Sequence, residues 1–124
     1  MNRDVRNLRY IIICIERVEE YAAVGKAALE SQLLLDAIER NLEKIADTAA
    51  HLSIEVRNAA SHIAWRDVGN FRNVLAHQYH GIDYEIVWSV IVNDLPPLKA
   101  FARMMLATLE EKPSEAMDDE QSDN

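Results

Sequence analysis

Apolar residues recur along this chain at three- and four-residue intervals, the spacing of amphipathic helices. Val5, Leu8, Ile12, Ile15 and Val18 form one such stripe and predict a first helix over about residues 4–22. Gly25 is then a break or cap. Leu34, Ala37, Ile38, Leu42, Ile45, Ala46 and Ala49 predict a second helix over about residues 29–52, with Asp36, Glu39, Arg40, Glu43, Lys44 and Asp47 on its other faces. Ser53 resembles an N-cap without the acidic partner of a capping box, and a short helix or turn follows to about residue 61. A third main helix is predicted to start near residues 64–67 and to stop at Gly81, a residue that tolerates the left-handed terminating conformation. Asp83 caps a fourth, with Glu85 at its positive end and Ile86, Val87, Val90, Ile91 and Leu95 on its apolar face. Pro96 and Pro97 must kink or restart that helix, since each removes a backbone donor. Helical spacing resumes through Leu98, Phe101, Met105 and Leu109, with Met104 and Met105 read as core filling.

Composition agrees with this pattern. In 124 residues there are three glycines and three prolines, too few for a strand-and-turn architecture. The expected fold is all-α, an antiparallel bundle of helices joined by short links. Residues 1–112 form the domain. From residue 113 onward the chain is polar and acidic and is expected to be a disordered tail.

Charge narrows the partners. The formal net charge is −8, but Glu110, Glu111, Glu115, Asp118, Asp119, Glu120 and Asp123, against Lys112 alone, carry most of it. The remaining body is nearly neutral, so any contact with a polyanion has to come from a local site. The single cysteine, Cys14, excludes an internal disulfide framework and a cysteine zinc cage, and its apolar neighbours suggest a buried, inert thiol. The longest apolar run, residues 10–15, is too short to span a bilayer, and the first residues lack a signal-peptide layout. A soluble, cytoplasmic protein without membrane contact is expected.

Candidate chemistry gathers in Arg72-Asn73-Val74-Leu75-Ala76-His77-Gln78-Tyr79. Arginine offers phosphate a permanent charge and a planar fork of donors. Histidine exchanges protons near neutral pH. A tyrosine hydroxyl can hydrogen-bond or accept a covalent group. On a regular helix Arg72 and Tyr79 share a face, and Asn73 and His77 share an adjacent one. Arg72 and His77 lie roughly 140° apart, so a loosened helix or a second subunit is needed for both to reach one phosphate. His77, His80 and Asp83 repeat at three-residue spacing, as a metal site could, but Asp83 is better used as a cap and no metal is expected. His51 and His62 read as surface or packing residues, and Trp65 and Trp88 as core or dimer anchors.

This motif resembles that of the HepT family of HEPN-domain proteins. Its flanks Trp65-Arg66-Asp67, Gly81-Ile82-Asp83, Ile86-Val87-Trp88 and Asp94-Leu95-Pro96-Pro97-Leu98 do so too, as do, more faintly, Ala37-Ile38-Glu39-Arg40 and Glu43-Lys44-Ile45. The likeness covers nearly everything but the tail. It implies a four- or five-helix bundle that forms a homodimer, and a toxin that is a metal-independent, cofactor-free ribonuclease acting on RNA. By the same resemblance, Arg72 and His77 would be the catalytic pair and Asn73 a supporting polar residue. Tyr79 would be the site of AMP modification by a partner nucleotidyltransferase antitoxin, MntA. Departures from the family pattern are Ala46-Asp47 where Gly-Glu is usual, Ala64 for proline, Gly69-Asn70 with the glycine shifted by one, and His80 for an aromatic. Two other roles compete: a non-catalytic helical subunit presenting substrate or nucleotide to a nucleotidyltransferase, and a purely structural dimerisation bundle.

Overall fold

The computed structural model describes residues 2–72 and 83–111. Helix α1 spans Asn2–Tyr21, and a 3₁₀ turn, Lys26–Glu30, leads into α2, Gln32–Ala49. Two short helices follow, α3 (Ile54–Asn58) and α4 (Trp65–Gly69), and Phe71 and Arg72 are again helical. After residue 82 come α5 (Tyr84–Ser89), a π turn (Val90–Asp94) and α6 (Leu95–Glu110). No strand occurs among the described residues.

Helix α1 packs against both α2 and α6. Both neighbours run antiparallel to it. Along α6, Arg9 pairs with Glu110, Glu16 with Arg103 at 2.9 Å, and Glu19 with Lys99 at 2.7 Å, so one series rises as the other falls. Such pairs, exposed apart from the half-buried Lys99, add little stability one by one, but they follow the seam and match its register. Toward α2, the start of α1 meets the end of its neighbour: Asn7 Nδ2 donates to the His51 carbonyl at 3.4 Å. Asp4, buried in the first turn of α1, accepts the Ser53 N–H at 2.8 Å. That bond satisfies a backbone donor just before α3 and puts negative charge at the positive end of α1. The expected antiparallel all-α bundle is the fold observed.

Two flanking helices give α1 a broader buried face than a single stripe. Leu8, Ile11, Cys14, Ile15 and Val18 are fully enclosed, while Ile12 and Val5 sit at its edge. In α2 the buried set is Leu35, Ile38, Asn41, Leu42, Ile45, Ala46 and Ala49, so Leu35 takes the core place expected of Leu34. From α6, Leu95, Leu98, Phe101 and Ala102 complete the core. Met105 packs against it, but Met104 is exposed and is not core filling. Burial pushes the Cys14 thiol up from its ordinary value, which disfavours the reactive thiolate and fits the inert role expected.

Local signals set most boundaries. Gly25 has φ +96°, a left-handed conformation that glycine adopts without penalty, and it breaks the chain after α1. Ser53 Oγ accepts the Val56 N–H, and Asp83 Oδ1 accepts those of Glu85 and Ile86, so both expected caps are used. The second helix does not start at residue 29. Ser31 is extended, and its hydroxyl accepts the Leu34 N–H, so the cap divides 3₁₀ turn from α-helix. The prolines act as expected, by a particular route. Pro96 lies in the first turn of α6, where its missing N–H is no loss. The preceding turn widens to a π turn, easing the clash between proline rings and the carbonyls four residues back.

Candidate functional site

The site is built from α4 inward. Trp65 fixes its start: the indole Nε1–H donates to the Arg57 carbonyl at 2.9 Å, and the ring meets Phe101 edge-on at 5.8 Å. His62 packs on the same phenyl ring at 6.2 Å, which makes it a packing residue. Val68 and Phe71, three residues apart, are buried on one side and bind the segment to the core. The helix expected to run on to Gly81 has a turn residue at Asn70, and its expected end lies outside the described residues. Asn70 keeps helical dihedrals, its N–H donating to the Arg66 carbonyl at 3.0 Å, and Phe71 and Arg72 are helical again; Gly69 and Asn70 are weak helix formers.

Because Phe71 is locked inward, the next side chain is turned out. The Arg72 side chain is 58% exposed and reaches across to α2, where Nη1 donates to Asp47 Oδ1 at 2.7 Å. Asp47 is itself 53% exposed. It lies in the last turn of α2, whose end is closed by His51: the ring Nδ1 meets the Asp47 carbonyl oxygen at 2.8 Å, so Nδ1 is the donor. The sequence pattern marked Asp47 as a polar-face residue and, with Ala46, as standing where the resembled family has Gly-Glu, without linking it to Arg72. Nothing local links it to an arginine 25 positions on, and only the packing of α2 against α4 brings them together.

Of the residues chosen from sequence, the structure thus places Arg72. Asn73, His77 and Tyr79 lie outside the described residues, as does His80. Asp83 is engaged as the α5 cap. Among the described residues no group of three His, Cys, Asp or Glu side chains is arranged to hold a metal ion, and no helix is long and apolar enough to cross a membrane.

Between α4 and α5 lies an open cleft of about 340 Å³, lined by Asp67, Asn70, Glu85, Ser89 and Asp94, with Phe71, Ile86 and Val90 as its apolar part. Lys26 pairs with Glu85 at its rim. Its three carboxylates make this cleft unfavourable for phosphate. Burial, and then the charge of Asp67, raise the Asp94 carboxyl above its ordinary value. A raised acid binds its proton more tightly in the folded than in the unfolded state, so stability falls as pH rises through the carboxylate range. Asp94 makes no side-chain capping bond to α6 that its replacement would lose. Asp94→Asn should therefore melt higher than the wild type at pH 7, with the advantage gone below about pH 3.5. Thermal melts across pH 3–8 check this, and an equal difference at both ends would contradict it.

Comparison with known proteins gives this site a family. The model described as "Ribonuclease HepT-like" matches residues 11–105, which include the whole motif segment. A protein of Methanocaldococcus jannaschii named "Gamma-glutamylcyclotransferase and putative RNase" is 33% identical over 80% of this chain and 46% of its own length. A "Putative RNase" of Caldanaerobacter subterraneus is 30% identical over 63% of this chain and 70% of its own. A "Probable ribonuclease HepT" of Thermococcus cleftensis is 30% identical over 51% and 57%. The chain thus spans about half the length of the first of these relatives. No solved structure matches the chain at the same stringency. With a family match over most of its length and an all-helical bundle beneath it, the chain belongs to the HepT-like ribonuclease family of the HEPN superfamily.

Proposed function

We propose that this protein is the toxin of a toxin–antitoxin pair: a metal-independent endoribonuclease that works as a cytoplasmic homodimer and is silenced by AMP on Tyr79. The observation that carries the reading is the Arg72 guanidinium, turned outward by the buried Phe71 and steadied by Asp47. It stands within the matched region of a ribonuclease family, five residues before His77 in the Arg-to-His spacing on which the resemblance rests.

In this mechanism His77 removes the proton from a ribose 2′-hydroxyl. The freed oxygen attacks the adjacent phosphorus, and the bond from phosphorus to the 5′ oxygen breaks. The leaving oxygen takes up a proton, giving a cyclic phosphate and a 5′-hydroxyl end. Arg72 neutralises the charge that builds on the phosphoryl oxygens. Asn73 supports the phosphate with a neutral hydrogen bond. Restraint comes from an MntA-like nucleotidyltransferase. The Tyr79 hydroxyl attacks the α-phosphorus of ATP and releases pyrophosphate, leaving AMP on the ring. The added group is bulky and anionic and competes with RNA for the charge of Arg72.

The test is growth on induced expression in a bacterial host. Wild type and His77→Ala are each expressed with and without the partner enzyme. Arrest by wild type alone, lost in His77→Ala and relieved by the partner, is the expected result. Normal growth with soluble, unmodified wild type would replace this reading with that of a non-catalytic subunit serving a nucleotidyltransferase.

A further inference from the structure

We infer that Asp47 is a positioning residue for Arg72, holding one edge of the guanidinium so that its remaining donors are aimed at an RNA phosphate. The inference rests on the nuclease reading above and extends its site to α2. The contact at 2.7 Å involves Nη1 alone, and the planar fork keeps its other N–H groups in a fixed relation to that anchor. A free arginine side chain has several rotatable bonds, so a single tether greatly narrows where the fork can point. Asp47 is itself well placed to serve as the fixed end. It has a short side chain on an 18-residue helix whose flanking Ala46 and Ala49 are buried. The adjoining backbone carbonyl is held by the His51 ring.

The energetics separate this role from folding. An ion pair with both partners more than half exposed contributes little to stability, so its loss should leave the fold intact. Asp47 is also an anion beside a site meant for an anion. Its removal should ease RNA binding while spoiling alignment, an effect that a simple binding residue would not produce.

The experiment compares wild type, Asp47→Asn, Asp47→Glu, Arg72→Ala and the Asp47→Asn/Arg72→Ala double variant. Cleavage of a short single-stranded RNA is followed under steady-state conditions, with thermal melts alongside. Asp47→Asn is expected to lower kcat about 10-fold, with KM equal to or below that of wild type and an unchanged melting temperature. Asp47→Glu should restore most of the loss, and Asp47→Asn should add nothing once Arg72 is alanine. Wild-type kinetics in Asp47→Asn, or a loss of the same size in the Arg72→Ala background, would overturn the inference. A second readout does not depend on cleavage: the Nε–H signal of Arg72 in nitrogen-labelled protein, titrated with the same RNA. A distinct wild-type signal that averages toward free arginine in Asp47→Asn is expected. Identical signals overturn the positioning role even if no RNA is cut, whereas a changed signal without cleavage counts against the nuclease reading alone.

Discussion

Replacing Arg72 by alanine is expected to reduce RNA cleavage by about 10²–10³-fold, the usual cost of removing one donor that stabilises charge in a transition state. The side chain is more than half exposed and its only described partner is another exposed group, so stability should change by no more than about 0.5 kcal/mol. The combination is diagnostic: activity lost, melting temperature kept. Arg72→Lys retains the charge but not the planar fork, and should recover only part of the rate. Cleavage of a labelled RNA in the presence of a chelator, with melts on the same samples, makes the comparison. Activity in Arg72→Ala within a few-fold of wild type would remove this residue from the catalytic pair.

Phe71→Ala is expected to lose function for the opposite reason. Phe71 is 1% exposed and is among the largest side chains enclosed in the core. Truncating such a residue costs about 3–5 kcal/mol, part from lost transfer of apolar surface and part from the cavity left behind. A domain of this size has a total stability of about 5–15 kcal/mol, so the variant should populate unfolded chain near physiological temperature. Because Phe71 also sets the outward direction of Arg72, the folded fraction should cleave poorly too. Phe71→Leu, which refills most of the space, should regain stability ahead of activity. Urea unfolding of the three proteins measures the first effect, and activity at low temperature, where folded protein dominates, measures the second. A midpoint in Phe71→Ala equal to wild type would show that the core closes around the gap.

Local chemistry explains why parts of this fold were legible in advance. Ser53 and Asp83 announce their helices because a cap needs only one side chain and the next few amides. Pro96 and Pro97 forbid a continuous helix through residue 95 whatever surrounds them. The spacing of Leu8, Ile15, Val18, Ile38, Leu42 and Ile45 demands two helices with facing apolar sides, and the motif from Arg72 to Tyr79 points to phosphate chemistry and to the HepT-like family before any coordinates are seen.

Other features depend on what packs against what. Ile11 rather than Ile12, and Leu35 rather than Leu34, are enclosed because helices approach from more than one side, so the centre of each buried face is set by its neighbours. Met104 stays exposed although its spacing also suits a core residue. Asn70 divides α4 from the helical residues Phe71 and Arg72, a boundary that apolar spacing does not mark. The pairing of Arg72 with Asp47 spans 25 positions and leaves no periodic trace. Sequence by itself determined the helical class, the caps, the proline boundary and the family motif, since each depends on interactions within a turn or two of the chain. Only the tertiary structure decided that Asp47 of α2 pairs with Arg72 and that Asp67, Glu85 and Asp94 line one cleft, because electrostatic neighbours across helices are made by packing.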